Sequence, residues 1–127
     1  MNYKKLTLCL CLSGIFLTCG CTSPVTTSTN LPAATYTAGG LEAMLPYGIN
    51  HVYQATLAGL QQLQIKTSVT KVDDLSGTVT AFRSDGKKIT IKLRHIQQGT
   101  TKFNMRIGIV GDAPHSMMIY EKIASNL

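Results

Sequence analysis

No cysteine occurs after position 21 of this 127-residue chain. Whatever folds beyond that point has no disulfide framework and no thiolate metal site, so its stability rests on burial. Acidic side chains are almost as scarce: Glu42, Asp73, Asp74, Asp85, Asp112 and Glu121 are the whole supply. Asp85 and Asp112 suit a turn and a helix cap, and Asp73-Asp74 falls in a connection. A general acid–base pair with opposed pKa shifts in one pocket is therefore not in prospect. The three histidines, His51, His95 and His115, are scattered over separate elements. No two have ligand spacing on one element, whereas a metal site needs three or four convergent groups. Serines are frequent, but none stands in a nucleophile elbow with a matching histidine and acid. Finally, the longest apolar run, Leu6 to Leu17, is well short of the ~20 residues that cross a bilayer as a helix. These gaps argue against an enzyme, a metal centre, a bound cofactor and a permanent transmembrane helix.

What is present begins with Lys4 and Lys5, followed by that apolar run and then Thr18-Cys19-Gly20-Cys21. A basic start, a short apolar stretch and a small residue at its exit are the parts of a secretory signal peptide. With a cysteine directly after Gly20, the segment resembles a bacterial lipoprotein signal over residues 1–20, in which the cysteine is acylated and becomes the first mature residue. The pattern ahead of such a cysteine is an aliphatic residue followed by two small ones. Cys21 is preceded by Thr18, Cys19 and Gly20, so the aliphatic place is filled atypically. Cys19 is the second choice, because Phe16, Leu17 and Thr18 put a bulky residue near the cut. Several acyl chains anchor a protein stably where one does not, and the resemblance implies three. Thr22 follows in place of an aspartate, so the resemblance implies a cell-envelope protein held at the outer membrane and facing the periplasm.

Cutting before Cys21 leaves about 107 residues, enough for one small domain with one core. The formal charge of the whole chain is +6. Without Lys4 and Lys5, ten cations face six acids, a net +4. Residues 21–40 are rich in Thr, Ser, Pro, Ala and Gly, too poor in apolar anchors to offset their ordering entropy. They read as a flexible tether spanning on the order of 25 Å. Threonine also suits extended chain, and Tyr36-Thr37 could pair onto a sheet edge.

The remaining stretch, 41–127, reads as one α+β domain. Leu41–Tyr47 is a first strand. Ile49–Gln64 is a helix, with Ile49, Val52, Thr56, Gly59, Leu60 and Leu63 on one apolar stripe, widened by Tyr53 and Leu57. Gly59 costs about 1 kcal/mol against alanine there, which points to close packing on a sheet. Period-two segments follow at 65–72, 77–83, 87–96 and 101–109, broken by Asp73-Asp74, Ser84-Asp85-Gly86 and Gln97-Gln98-Gly99. A three-residue loop at 84–86, with Gly86 left-handed, sets Ala81 opposite Ile89 and Val79 opposite Ile91. A two-residue loop would exchange the faces. Asp112 then caps a last helix, Pro114 suits its first turn, and Met117, Tyr120, Ile123 and Leu127 reach inward. The order β-α-β-β-β-β-α predicts an antiparallel sheet of four to five strands with both helices on one face.

From about Tyr47 onward the chain resembles an uncharacterised family of small bacterial lipoproteins. The resemblance rests on Val52-Tyr53, Ala55, Leu60, Leu63, Asp74-Leu75-Ser76-Gly77-Thr78, Asp85 to Ile91 and Arg106-Ile107-Gly108-Ile109-Val110-Gly111-Asp112. It implies no catalytic residue. The fold it implies is similar to small envelope domains that assist assembly of larger complexes, an analogy of fold alone.

One surface invites a functional reading. On the wet side of the alternating strands lie Lys88, Lys92 and Arg94, then Lys102 and Arg106, with Thr78, Thr80 and Phe82 beside them. Such a face can dock an anionic partner in a salt-sensitive way. The ordinary reading is a solvated face, since lysine and threonine are common on exposed strands and discourage edge pairing. Phe82 stranded among charges is what keeps the docking alternative open. Gly108 to Asp112 enters a helix where anions can bind, but Asp112 would repel a phosphate. The expectation is a non-enzymatic, membrane-anchored envelope lipoprotein. It would bind or scaffold a protein partner, as an accessory of a secretion or surface-assembly machine. The alternative is a module binding anionic lipid or cell wall; nucleic acid is not expected in that compartment.

Overall fold

The computed structural model describes residues 31–127. The stretch read as a signal, with Cys19, Cys21 and the first part of the stretch read as a tether, lies outside the described residues. The elements run β1 (Ala34–Thr37), β2 (Gly40–Leu45), α1 (Ile49–Gln62), β3 (Lys66–Val72), β4 (Ser76–Phe82), β5 (Lys88–Gln97), β6 (Thr100–Ile107) and α2 (Ala113–Ala124). All six strands form one antiparallel sheet in the order β1-β2-β6-β5-β4-β3. The α+β class, the element order and the two helices agree with the sequence reading.

Alternation explains the core. Leu41, Ala43 and Leu45 on β2 point to the same side as Val79, Ala81, Ile89, Ile91, Leu93, Phe103, Met105 and Ile107, and all are buried. The helices close over this face with Ile49, Val52, Leu60, Ile119, Tyr120 and Ile123. Each fully buried Leu, Ile, Phe or Met contributes about 1.5–3 kcal/mol relative to exposure. The β4–β5 register follows from this. Val79 faces Ile91 and Ala81 faces Ile89, closed by Arg83 N–H to Lys87 carbonyl at 3.0 Å with Gly86 at φ 81°.

The sheet has six strands and not four to five, because Ala34–Thr37 joins it. Within the stretch read as tether to residue 40, Ala34 and Tyr36 turn half-buried toward the core. Tyr36 and Thr37 pair with Leu41 and Gly40 on the sheet edge. Ala38 (φ 47°) and Gly39 (φ 78°) make a two-residue left-handed turn of the kind that suits strand twist. Pro32 is held as well, its carbonyl accepting from the Tyr120 hydroxyl at 2.6 Å.

Three residues sit differently from expectation. Gly59 abuts α2 and not the sheet: a Cβ there would lie 2.8 Å from Ile123 Cα and Cγ1. Met117 is partly exposed, while Ser116, Ile119, Tyr120, Ile123 and Ala124 face inward, a stripe shifted by one residue. Ile109 lies in solvent, because the left-handed Gly108 (φ 65°) ends the strand before the alternation can continue.

Candidate functional site

The sheet face away from the helices is the candidate site. Register places its side chains in rows across the strands. Lys88 stands beside Phe82, and Phe82 beside Lys66. Arg106, Thr90, Thr80 and Val69 form the next row, followed by Glu42, Asn104, Lys92, Thr78 and Lys71. Met44, Lys102, Arg94 and Ser76 form the last. All six residues singled out from the sequence, Lys88, Lys92, Arg94, Lys102, Arg106 and Phe82, therefore lie on one surface.

Two further cations join them. Lys66 and Lys71 are five apart on β3, an odd spacing that a regular strand would send to opposite faces. The register shift between Thr67 and Val69 adds one residue and returns Lys71 to the face of Lys66. Seven cations thus share this face with one strand carboxylate, Glu42.

Glu42 is already engaged. Lys102 Nζ lies 3.3 Å from one of its oxygens, and Asn104 donates to the other at 2.9 Å. Both charged partners are well exposed, so the bridge contributes little. Arg106 donates to the carbonyl of Ala38 at 2.9 Å. Among the described residues, Lys66, Lys71, Lys88, Lys92 and Arg94 have no ion-pair partner. Across β4, β5 and β6 the face dips into a shallow trough of about 420 Å³, lined by Ser76 and Thr78 on one side, Lys92 and Arg94 in the middle, and Lys102, Asn104 and Glu42 on the other. Its hydroxyls and cations suit carboxylate groups. Phe82 (44 % exposed) and Val69 add apolar contact beside Lys66 and Lys88.

The other charged cluster has a structural explanation. Asp112 caps α2, accepting from the His115 backbone N–H at 3.3 Å, with His115 Nδ1 2.8 and 2.9 Å from its two oxygens. Arg83 lies 3.4 Å from Asp112 and 2.8 Å from Asp85, tying the β4–β5 turn to the helix. The hydrogen bond from His115 holds the Asp112 carboxyl below its ordinary value; partial burial opposes it, and the nearby Lys87 assists. His51 stacks on Tyr47 with ring centroids 5.2 Å apart. Among the described residues no three His, Cys, Asp or Glu are grouped to hold a metal, and no helix is long and apolar enough to cross a membrane.

The family described as "Protein of unknown function (DUF3568)" matches residues 5–126, so the chain belongs to it. That description names no activity. Among curated proteins, none matches the chain.

Proposed function

We propose that this DUF3568 member is a non-enzymatic lipoprotein of the bacterial cell envelope whose basic sheet face binds or scaffolds an acidic protein. It is acylated on Cys21, with Cys19 as the second choice, and held by its lipid at the outer membrane, facing the periplasm. Lys4, Lys5, the short apolar run and Gly20-Cys21 support the anchor. One observation carries the partner: seven cations against a single, already paired carboxylate on one strand-built face. Such a field raises the encounter rate with an acidic surface and makes binding sensitive to salt. The half-exposed Phe82 supplies apolar contact of the sort that interfaces concentrate at their centres. An accessory role beside a secretion or surface-assembly machine fits a small anchored domain with no catalytic group of its own.

The test is a photo-crosslinking residue at Thr90, in the middle of the face, introduced in the full chain in intact cells. A discrete protein adduct is expected. Lys92→Glu with Arg94→Glu should reduce it about tenfold or more, the scale set by 1.4 kcal/mol. An adduct indifferent to the charge reversal would remove the face from the argument. Release of the purified chain from anionic vesicles or wall fragments at high salt, with no protein adduct in cells, would instead favour lipid or cell wall as the ligand. For the anchor, Cys21→Ser should abolish lipid attachment in the mature N-terminus measured by mass spectrometry. A lipidated product in that variant would move the site to Cys19.

A further inference from the structure

We infer that Ile109 and Val110 form a rigid docking knob that inserts into an apolar, acid-rimmed pocket on the protein partner proposed above, and the inference rests on that reading. These two are 93 % and 86 % exposed, the most exposed of the large apolar side chains among the described residues. Isolated exposed apolar residues are ordinary; a β-branched pair fixed in place at a loop tip is a different matter. Gly108 (φ 65°) and Gly111 (φ 94°) bracket the pair in left-handed conformations that other residues rarely adopt. Gly111 packs so closely on the backbone of Gly39 and the Tyr36 hydroxyl that a Cβ would overlap them, and Gly39 packs likewise on the Val110 carbonyl. On the other side, the Gly108 N–H donates to the Lys88 carbonyl at 2.8 Å. The loop is thus clamped between the β1–β2 turn and β5, directly before the Asp112 cap. A slack loop could fold its Ile and Val inward; this one presents them, and little ordering entropy remains to be lost on binding.

Its surroundings define the pocket. Gly108 borders Lys88, whose row continues through Phe82 to Lys66, and Arg106 stands in the row below. A receptor for the knob therefore needs an apolar hole with carboxylates on the side facing the sheet. A bilayer with anionic headgroups shares that chemistry, but the direction of the chain favours a protein. Ala34 faces Ala43, which faces Phe103, and Gly108 lies five residues further along, about 17 Å at strand rise. A lipid on Cys21, ten residues ahead of Leu31, joins the domain at the end opposite the knob. The knob therefore lies at the other end of the domain from the point where the tether enters. A second copy would bring the same cationic face against this one.

The experiment places the photo-crosslinking residue at Val110 in the full chain in intact cells. Expected is a discrete protein adduct that Ile109→Ser reduces at least tenfold and Lys88→Glu also weakens, with no such adduct from Lys122 on α2. In parallel, because the sequence holds no tryptophan, Ile109→Trp is a unique reporter. In the full lipidated chain, reconstituted in phosphatidylethanolamine–phosphatidylglycerol vesicles with brominated acyl chains, its fluorescence should stay unquenched. Bromine quenching would overturn the inference in favour of a bilayer seat. An adduct of twice the chain mass would overturn it in favour of self-association. No adduct, or one insensitive to Ile109→Ser, would also overturn it. If adducts from Thr90 persist when those from Val110 are absent, the knob alone has failed; if both are absent, the partner reading has failed with it.

Discussion

Gly59→Ala offers the sharpest check on how the two helices meet. In an exposed helix this change would stabilise by about 1 kcal/mol, because glycine loses more backbone freedom on folding. At Gly59 the new methyl would lie 2.8 Å from Ile123 Cα, 2.8 Å from its Cγ1 and 3.0 Å from its N. Comfortable carbon–carbon contact is near 3.5–4.0 Å. Cγ1 can rotate away, but Cα and N are α2 backbone and can retreat only if the helix shifts. Overpacking of this kind costs about 1–3 kcal/mol, and backbone involvement places it near the upper end. Setting the propensity gain against that leaves a net loss of about 1–2 kcal/mol, or a melting temperature lower by roughly 4–16 °C for a domain of this size. Thermal unfolding followed by helical circular dichroism measures it, with Gln61→Ala on the exposed side of α1 as a reference that should barely move. A double-mutant cycle with Ile123→Ala adds a second readout. Truncating Ile123 should cost less in the Gly59→Ala background than in the wild type. A Gly59→Ala protein that melts at or above the wild type would refute the close approach of the helices.

Two other outcomes are expected. Stability should have an acid and an alkaline edge. The Asp112 carboxyl is held below its ordinary 3.8, chiefly by the hydrogen bond from His115. Its contribution is complete above about that value and is lost as pH falls through the lower folded one. Burial pushes the Tyr120 hydroxyl up to about 12, so its contribution is complete below about 10 and fades as pH rises toward 12. Urea midpoints measured against pH should show the gap between wild type and Asp112→Asn closing in acid, and that to Tyr120→Phe closing in alkali. A gap that does not change with pH would contradict both. Separately, Ser116 is fully buried and its hydroxyl finds no hydrogen-bond partner among the described residues. Ser116→Ala should therefore stabilise by about 0.5–1.5 kcal/mol, from relief of desolvation and from helix propensity. A lower melting temperature would mean that the hydroxyl is satisfied after all.

Much of the domain can be read from apolar parity. Val79, Ala81, Ile89 and Ile91 can all face inward under only one hairpin length, so the β4–β5 register is visible without coordinates. Asp112 before Ala113-Pro114 announces its helix as clearly. Parity fails where a single residue breaks the count. The extra residue, Ser68, carries Lys71 onto the wet face beside Lys66, so one of the seven cations escapes a two-by-two count. Gly108 takes a left-handed turn, and Ile109, next in the alternation, points outward instead of in. Edge strand β1 carries only a half-buried pattern in a threonine-rich stretch, a weaker signal than that of β2 or β6. Gly59 shows that something approaches, but no local pattern says whether it is sheet or helix. The shift from Met117 to Ser116 in α2 reflects the same limit, since a helical stripe can rotate by one residue and still satisfy its spacing.

The bond between Tyr120 and Pro32 has a mechanical consequence. A pull on the chain ahead of Leu31 meets first the Tyr120 hydroxyl gripping the Pro32 carbonyl, then the four residues of β1. Because β1 leaves its sheet along its own axis, the load falls on its ladder in shear, so its bonds share the force and do not open one at a time. Tyr120 is itself wedged against Phe103, ring centroids 5.6 Å apart, in the middle of the core. A tug on the chain ahead of Leu31 is thus handed to the whole domain, which holds or yields as one body.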